Sequence, residues 1–263
     1  MKWFEPPLPR LPALIEIMNF SRDIGTLISE LQPMANKKGL KRFGPIGDGG
    51  YLMPDDLEGV KAIVSPGVST EVGFDYEMAN LGIDVYMADA SVAGPPIQHE
   101  RFHFSAKFLD SCNSKTRITL DDYCKSIRDG TGDLVLQMDI EGAEYRVIAA
   151  TSEDVLSRFR IMIIEFHGVR HLRWPMRVRG MSAVFRKLLR NHRVVHIHPN
   201  NAGRLARVGK FEVPDILEFT FYRSDRDVFE HKPLQFPHPL DATNVPDRPP
   251  IVLPKCWQPI PDG

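Results

Sequence analysis

Apolar residues along the chain alternate between short unbroken runs and stretches with three- and four-residue spacing, the pattern of buried strands separated by amphipathic helices. Residues 14–31 carry the mixed spacing and predict a helix over the core, preceded by a proline-rich, extended segment at 1–12. Residues 41–57 begin with turn-forming Gly44-Pro45 and Asp48-Gly49-Gly50-Tyr51, then give a short apolar piece, Tyr51-Leu52-Met53, that Pro54 stops. Buried strands are predicted at 60–64, 83–87, 101–105, 134–138, 160–165 and 193–197. Helices are predicted at 75–81, 118–127, 143–149 and 181–189, the second of them capped near Thr119 or Asp121. A last apolar and aromatic run, 216–222, follows strand 193–197 after a loop too short for a helical crossover, so that pair must be antiparallel.

This alternation predicts an α/β fold, a doubly wound and mostly parallel sheet with one antiparallel strand near the carboxyl end. Three regions are expected: an arm and helix at 1–40, the sheet domain at 41–230, and a tail at 231–263. Nine prolines and little periodicity make that tail an irregular segment on the surface.

Composition narrows the partners. The 263 residues are 43% hydrophobic and 25% charged, an ordinary globular mixture, and 33 basic against 34 acidic side chains give no field that favours nucleic acid or an anionic membrane. Basic residues do gather between Arg170 and Arg193, either as a solvated helix face or to meet an anionic substrate group. Cys112, Cys124 and Cys256 share no metal or disulfide spacing, which fits a reducing compartment. Runs such as Ile161-Met162-Ile163-Ile164 fall far short of the ~20 residues of a membrane span. With Pro6, Pro7, Pro9 and Pro12 where a signal peptide needs an apolar run, the chain reads as soluble and cytoplasmic.

The candidate chemistry sits where strands end. Strand 134–138 runs straight into Asp139, Ile140, Glu141 and Gly142, aiming two carboxylates at the crevice where open α/β sheets bind ligands. Beyond the first strand, Gly67 lets backbone pass close to a cofactor or simply makes the turn; Glu71 and Asp75 repel a pyrophosphate and suit a cationic amino or sulfonium group. Asp89, at the tip of the second strand, is placed to accept hydrogen bonds from ribose, or else caps a turn. Ser105 and Ala106 follow the third strand and can border an adenine. Glu165 and His167 share one face of their strand, as do His196 and His198 of theirs, followed by Asn200 and Asn201. These groups suit proton abstraction from a hydroxyl, a divalent cation, or a structural hydrogen-bonded cluster.

Over roughly residues 44–222 the chain resembles the FkbM-type family of S-adenosylmethionine-dependent methyltransferases. Met138-Asp139-Ile140-Glu141-Gly142-Ala143-Glu144 matches the family's Asp-x-Glu-Gly-x-Glu signature. Thr119-Leu120-Asp121-Asp122-Tyr123, Ile164-Glu165-Phe166-His167 and His198-Pro199-Asn200-Asn201 support the match. The usual first motif, Asp-x-Gly-Ala-Asn-x-Gly, is altered, with Ser65 in place of the aspartate and Glu71 in place of the last glycine. A subset of relatives has instead the Gly-x-x-x-acid, Phe, acid pattern that Gly67, Glu71, Phe74 and Asp75 follow. The resemblance implies a seven-stranded class I fold with an antiparallel last strand. It also implies Gly67 and Glu71 near the methionine part of the cofactor, Asp89 near ribose, Ser105 near adenine, and Asp139 at the junction with the acceptor.

The expected reaction is methyl transfer from S-adenosylmethionine to a hydroxyl of a small molecule or glycan. His167 is the expected base and His198 the second candidate, with Asp139 and Glu141 positioning the acceptor or a divalent metal. Glu165, Asn200, Asn201 and Tyr51 are expected at the acceptor, and the Asp48–Tyr51 loop at the edge of the cofactor pocket. A nicotinamide-dependent oxidoreductase needs a phosphate-cradling glycine loop that residues 65–75 supply poorly. A non-catalytic binding module is the rival outside enzymes. A glycosidase is disfavoured because Asp139 and Glu141 are neighbours instead of facing groups. Oligomeric state is not legible.

Overall fold

The structure, a computed structural model, describes residues 11–68, 70–128 and 131–259. The extended segment expected over 1–12 therefore lies almost wholly outside the described residues, as do residues 260–263. Helix α1 (Leu11–Glu30) precedes a hairpin of β1 (Lys41–Phe43) and β2 (Tyr51–Met53). Then come β3 (Ala62–Pro66), α2 (Gly73–Asn80), β4 (Asp84–Ala88), β5 (Phe102–Ser105), α3 (Leu120–Lys125) and β6 (Leu134–Met138). The second half supplies α4 (Glu144–Ala150), α5 (Glu153–Arg158), β7 (Phe159–His167), α6 (Pro175–Leu189), β8 (His192–Pro199), a hairpin of β9 (Leu205–Val208) and β10 (Phe211–Pro214), and β11 (Ile216–Arg223).

Seven strands form one sheet in the order β8-β11-β7-β6-β3-β4-β5. The β11 strand runs antiparallel between β7 and β8, as the short connection after β8 requires, and this is the class I arrangement. Both faces of the middle strands are covered, which is why β6 and β7 read as continuous apolar runs. Leu134, Leu136 and Met138 point into one core layer with Ile148 and Phe185, while Val135 points into the other with Met78 and Val85. Shortening such a fully buried side chain, as in Leu136→Ala, costs about 2–5 kcal/mol.

The differences from the sequence pattern have local causes. Helix α5 is only six residues long, too short for an apolar period, and starts at Ser152, whose Oγ accepts from Val155 N at 3.3 Å. Helix α6 begins at Pro175 instead of near 181 because its first turns, with Met176, Arg177 and Arg179 exposed, face away from the core. Thr119 is the cap of α3, its hydroxyl accepting from Asp122 N at 3.2 Å. After β11 the chain folds back: Phe229–Glu230 pairs with Ala35–Asn36, and Leu253 and Trp257 are buried in the core beside Phe219. No helix among the described residues is long and apolar enough to cross a membrane.

Candidate active site

Four strands finish level at one edge, and their ladder continues into the turns beyond them. Gly67 N donates to Ala88 O at 3.1 Å, Asp89 N to Ser105 O at 3.1 Å, and Asp139 N to Pro66 O at 3.4 Å. At Gly67 the backbone turns left-handed (φ +94°), and a Cβ there would lie 1.6 Å from the Asp139 carbonyl oxygen. Glycine is thus what lets the turn after β3 pass against the turn after β6.

The turn after β6 is held in an uncommon shape. Glu141 has φ +54°, a left-handed conformation that costs a non-glycine residue roughly 1 kcal/mol, and Gly142 follows at +97°. Glu144, fully buried in the first turn of α4, folds back so that its Oε1 accepts from Gly142 N at 2.8 Å and from Ile140 N at 3.4 Å. That is the local work of the second glutamate of the signature, a residue to which the sequence reading gave no role.

His167, the last residue of β7, stands among four acids. Its Nδ1 lies 3.1 Å from Glu144, and its Nε2 lies 3.2 Å from Glu165, 3.4 Å from Glu141 and 3.9 Å from Asp139. Asn200 Nδ2 donates to Glu165 Oε2 at 2.9 Å. The sequence-derived residues Asp139, Glu141, Glu165, His167 and Asn200 therefore come together. Burial pulls the His167 imidazole down, but its hydrogen bonds to Glu144 and Glu165 outweigh that and lift its pKa to about 11. Asp139 is pushed up to about 8, first by burial and then by the charge of Glu165. Asp139 Oδ1 and Glu144 Oε2 are buried with no hydrogen-bond partner among the described residues. One ligand atom from each of Asp139, Glu144 and His167 lies within 4.8 Å of the others, a spacing that can hold a metal ion.

Beside this group runs a cleft of about 750 Å³ lined by Asp48, Gly67, Asp89, Asp110, Asp139 and Glu141, among others. Asp89 Oδ1 accepts from Ser91 N and Ser91 Oγ at 2.7 and 2.6 Å, so it caps a turn; its other oxygen makes no hydrogen bond among the described residues. The turn and ribose readings of Asp89 are compatible. Ser105 does not line the cleft. Phe108, Leu109 and Asp110 line the cleft, with Arg146 Nε 2.8 Å from Asp110; in the sequence they fall in an unassigned loop with no motif to mark them.

A small cavity of about 50 Å³ adjoins the cleft, lined by Asp48, Tyr51, Gly67, Glu71, Asp75 and Asp139 among others. Tyr51 Oη accepts from Gln137 Nε2 at 3.0 Å, and Ser65 Oγ donates to Gln137 Oε1 at 2.8 Å. Asp75 is buried there, which raises it to about 7, and its Oδ1 has no hydrogen-bond partner among the described residues. Glu71 Oε1 accepts from Gly73 N at 2.7 Å.

His198 and Asn201 turn to the tail instead. His196 Nε2 and His198 Nδ1 lie 3.0 and 3.5 Å from Asp241 Oδ1, and Asn244 joins His198 to Glu218. Asn201 donates to the carbonyls of Val245, Arg248 and Pro249 and accepts from Val245 N, which leaves its amide committed to holding the tail. Glu218 of β11 stands opposite both Glu165 and His198 in register, and burial raises it to about 8. A single acid inside the apolar run 216–222 was its one mark in the sequence.

Residues 75–203 match the methyltransferase FkbM domain. No curated protein matches the sequence. Among solved structures, the chain is similar to the N-methyltransferase NodS from Bradyrhizobium japonicum WM9, with 11% identity over 78% of this chain and 97% of that one and a TM-score of 0.34. NodS in complex with S-adenosyl-L-homocysteine gives 12% identity over 78% and 88%, with a TM-score of 0.33. The fibrillarin pre-rRNA processing protein of Methanococcus jannaschii gives 12% identity over 71% of each chain and a TM-score of 0.36. The acids and the histidine gathered around β6 and β7 all fall inside the stretch that matches, so the cluster lies within a methyltransferase FkbM domain.

Proposed function

We propose that the chain transfers a methyl group from S-adenosylmethionine to a hydroxyl oxygen of a small molecule or glycan. The observation that carries this reading is the meeting, at Asp139, of the large cleft with the acid and histidine cluster. The residues present fit an adenosyl sulfonium. Asp89 keeps one oxygen free for ribose hydroxyls, the Gly67 turn lines the cleft, and Asp75 and Asp139 are buried carboxyls with unbonded oxygens that a positive ligand would relieve.

When bound, the cofactor supplies an electrophilic methyl group, so the chain's own work is alignment and removal of the hydroxyl proton. His167 was the base expected from sequence. With its value lifted to about 11 it is an imidazolium at neutral pH, and we assign proton acceptance to Asp139 instead. A carboxyl with a value of about 8 is matched to that task near neutral pH. The charge of His167, 3.9 Å away, favours the ionised form of Asp139. Glu165, fixed by Asn200, and Glu144 hold the imidazolium in place.

A divalent cation is a second reading, favoured by the unbonded, fully buried Glu144 oxygen. Asp139, Glu144 and His167 would hold it, and it would lower the pKa of an acceptor hydroxyl. Calorimetric titration with S-adenosylhomocysteine tests the main proposal: binding that is lost in Asp89→Ala is expected, and absence of binding by the intact chain refutes it.

A further inference from the structure

A second cleft, also about 750 Å³, opens on the other side of His167, between α4, the single turn of 3₁₀ helix Val169–Arg173 and the start of α6. Gly168, at φ +69°, turns the chain sharply after His167, and Pro175 starts α6 two residues beyond the 3₁₀ turn. Gly142 and Gly180 both line this cleft, and a Cβ on either would meet nothing within 4 Å. The two clefts share Arg146 and meet at the consecutive residues Glu141 and Gly142, and the second is lined by His167, so a molecule in it lies beside the acid and histidine cluster.

The charge of this second cleft is the opposite of the first. No Asp or Glu occurs between Glu165 and Glu212, a stretch that holds nine arginines, two lysines and five histidines. Arg170, His171 and Arg177 of that stretch line the cleft. Arg170 is paired with Asp215, and Arg146 with Asp110, but neither His171 nor Arg177 has an ion-pair partner among the described residues. His171 is held below its ordinary value first by burial and then by the neighbouring charges of Arg170, Arg177 and Arg173. Asp215 is nine-tenths buried, and its Oδ1 has no hydrogen-bond partner among the described residues; the buried Tyr145 Oη is in the same position. Both residues line the cleft and offer partners to hydroxyls.

We propose that this cleft is the acceptor subsite and that the acceptor is a hydroxylated molecule bearing an anionic group, phosphate or carboxylate, which Arg177 and His171 receive. The inference rests on the methyltransferase reading for its acceptor role and deepens it, since charge complementarity names the substrate class. An anion there converts unpaired cations into charge-assisted hydrogen bonds.

The test is calorimetric titration of the full chain with glucose, glucose 6-phosphate and glucuronate as probes, beside a separate titration with S-adenosylhomocysteine. At least one charged sugar is expected to bind ~10-fold or more tighter than glucose, and which one does so separates a phosphorylated from a carboxylated acceptor. Arg177→Gln, an exposed position that spares the fold, should weaken the charged probe ~10-fold and leave S-adenosylhomocysteine affinity alone. Arg179→Gln, outside the cleft, should match the parent chain. The His171 imidazole, followed by NMR, should titrate at higher pH once the charged probe is bound. Glucose binding as tightly as its charged relatives, or Arg177→Gln binding them undiminished, overturns the proposal. Failure of S-adenosylhomocysteine to bind instead refutes the methyltransferase reading, and the acceptor role falls with it even where the anion binds.

Discussion

The Gly67 backbone passes so close to Asp139 that a methyl group on its Cα would sit 1.6 Å from the Asp139 carbonyl oxygen. The two turns that edge the cleft beside Asp139 are thus locked to each other through a position with no side chain. Gly67→Ala must open that contact and also accept a φ of +94°, so it should cost at least ~2 kcal/mol through strain and overpacking together. Urea unfolding measures the loss, and affinity for S-adenosylhomocysteine should drop with it. An unchanged midpoint would mean that the turns do not bear on each other as described.

Proton acceptance by Asp139 gives the reaction a pH profile with a defined sign. The carboxyl must be ionised to act, so with a value of about 8 the rate should climb as pH rises through that point. The ascent should level off about one pH unit above that, once the carboxyl is ionised and while His167, raised to about 11, still carries its proton. In Asp139→Asn the rising limb should vanish and kcat should fall by a factor of ~10² or more. A profile that rises through 6.5 instead, the ordinary value of an imidazole, would return the base to His167.

Much of this site was legible in the sequence because its residues sit at strand ends, where the apolar run announces the strand and the first polar residue after it marks the edge. Asp139, Glu141, Glu165 and His167 were found that way, as was the antiparallel β11, whose short connection to β8 allows no other direction. What escaped depends on distant contacts. Glu144 follows a glycine in a helix start, and only the fold reveals that it turns back to Gly142 N and His167. His198 and Asn201 have the chemistry of site residues, but the tail, some 40 residues later, engages both. No local pattern records which partner wins.

The tail is fastened by Asp241, 7% exposed, between His196 and His198. Asp241→Asn leaves a buried histidine pair without its counter-charge and should cost about 3 kcal/mol. The pairing also fixes a pH window. His198 is raised from 6.5 to about 9, with burial opposing and Asp241 prevailing, so its contribution is complete below pH 6.5 and fades as pH rises through about 9. Asp241 is held well below its ordinary 3.8 against burial by the two histidines, so its contribution is complete above pH 3.8 and fades on acidification below that. Limited proteolysis of residues 231–259 should therefore be slowest between about pH 4 and 6.5 and quicken at pH 9.5. Asp241→Asn should be cut rapidly throughout, and a parent chain cut equally fast at pH 5.5 and 9.5 would refute the latch.

Cation binding at Asp139, Glu144 and His167 is separable from the proton chemistry because it inverts the state of the histidine. A metal ligand must be a neutral imidazole, whereas the acids alone hold His167 protonated, so an ion has to displace that proton and binding must strengthen as pH rises. Titration of the chain with Mn²⁺, followed by calorimetry at pH 6.5 and 8.5, should give tighter binding at the higher pH, with protons released to the buffer. Glu144→Gln keeps the side chain's volume but removes one charge from the set, and should weaken the ion ~10-fold or more while leaving S-adenosylhomocysteine binding intact. Methylation that survives a chelator, in a chain that also gives no calorimetric response to Mn²⁺, would leave the cluster as a purely protonic device. In that case Glu144→Gln should instead lower the His167 value from about 11 toward the ordinary 6.5, because the hydrogen bond to Glu144 is first among the interactions that raise it.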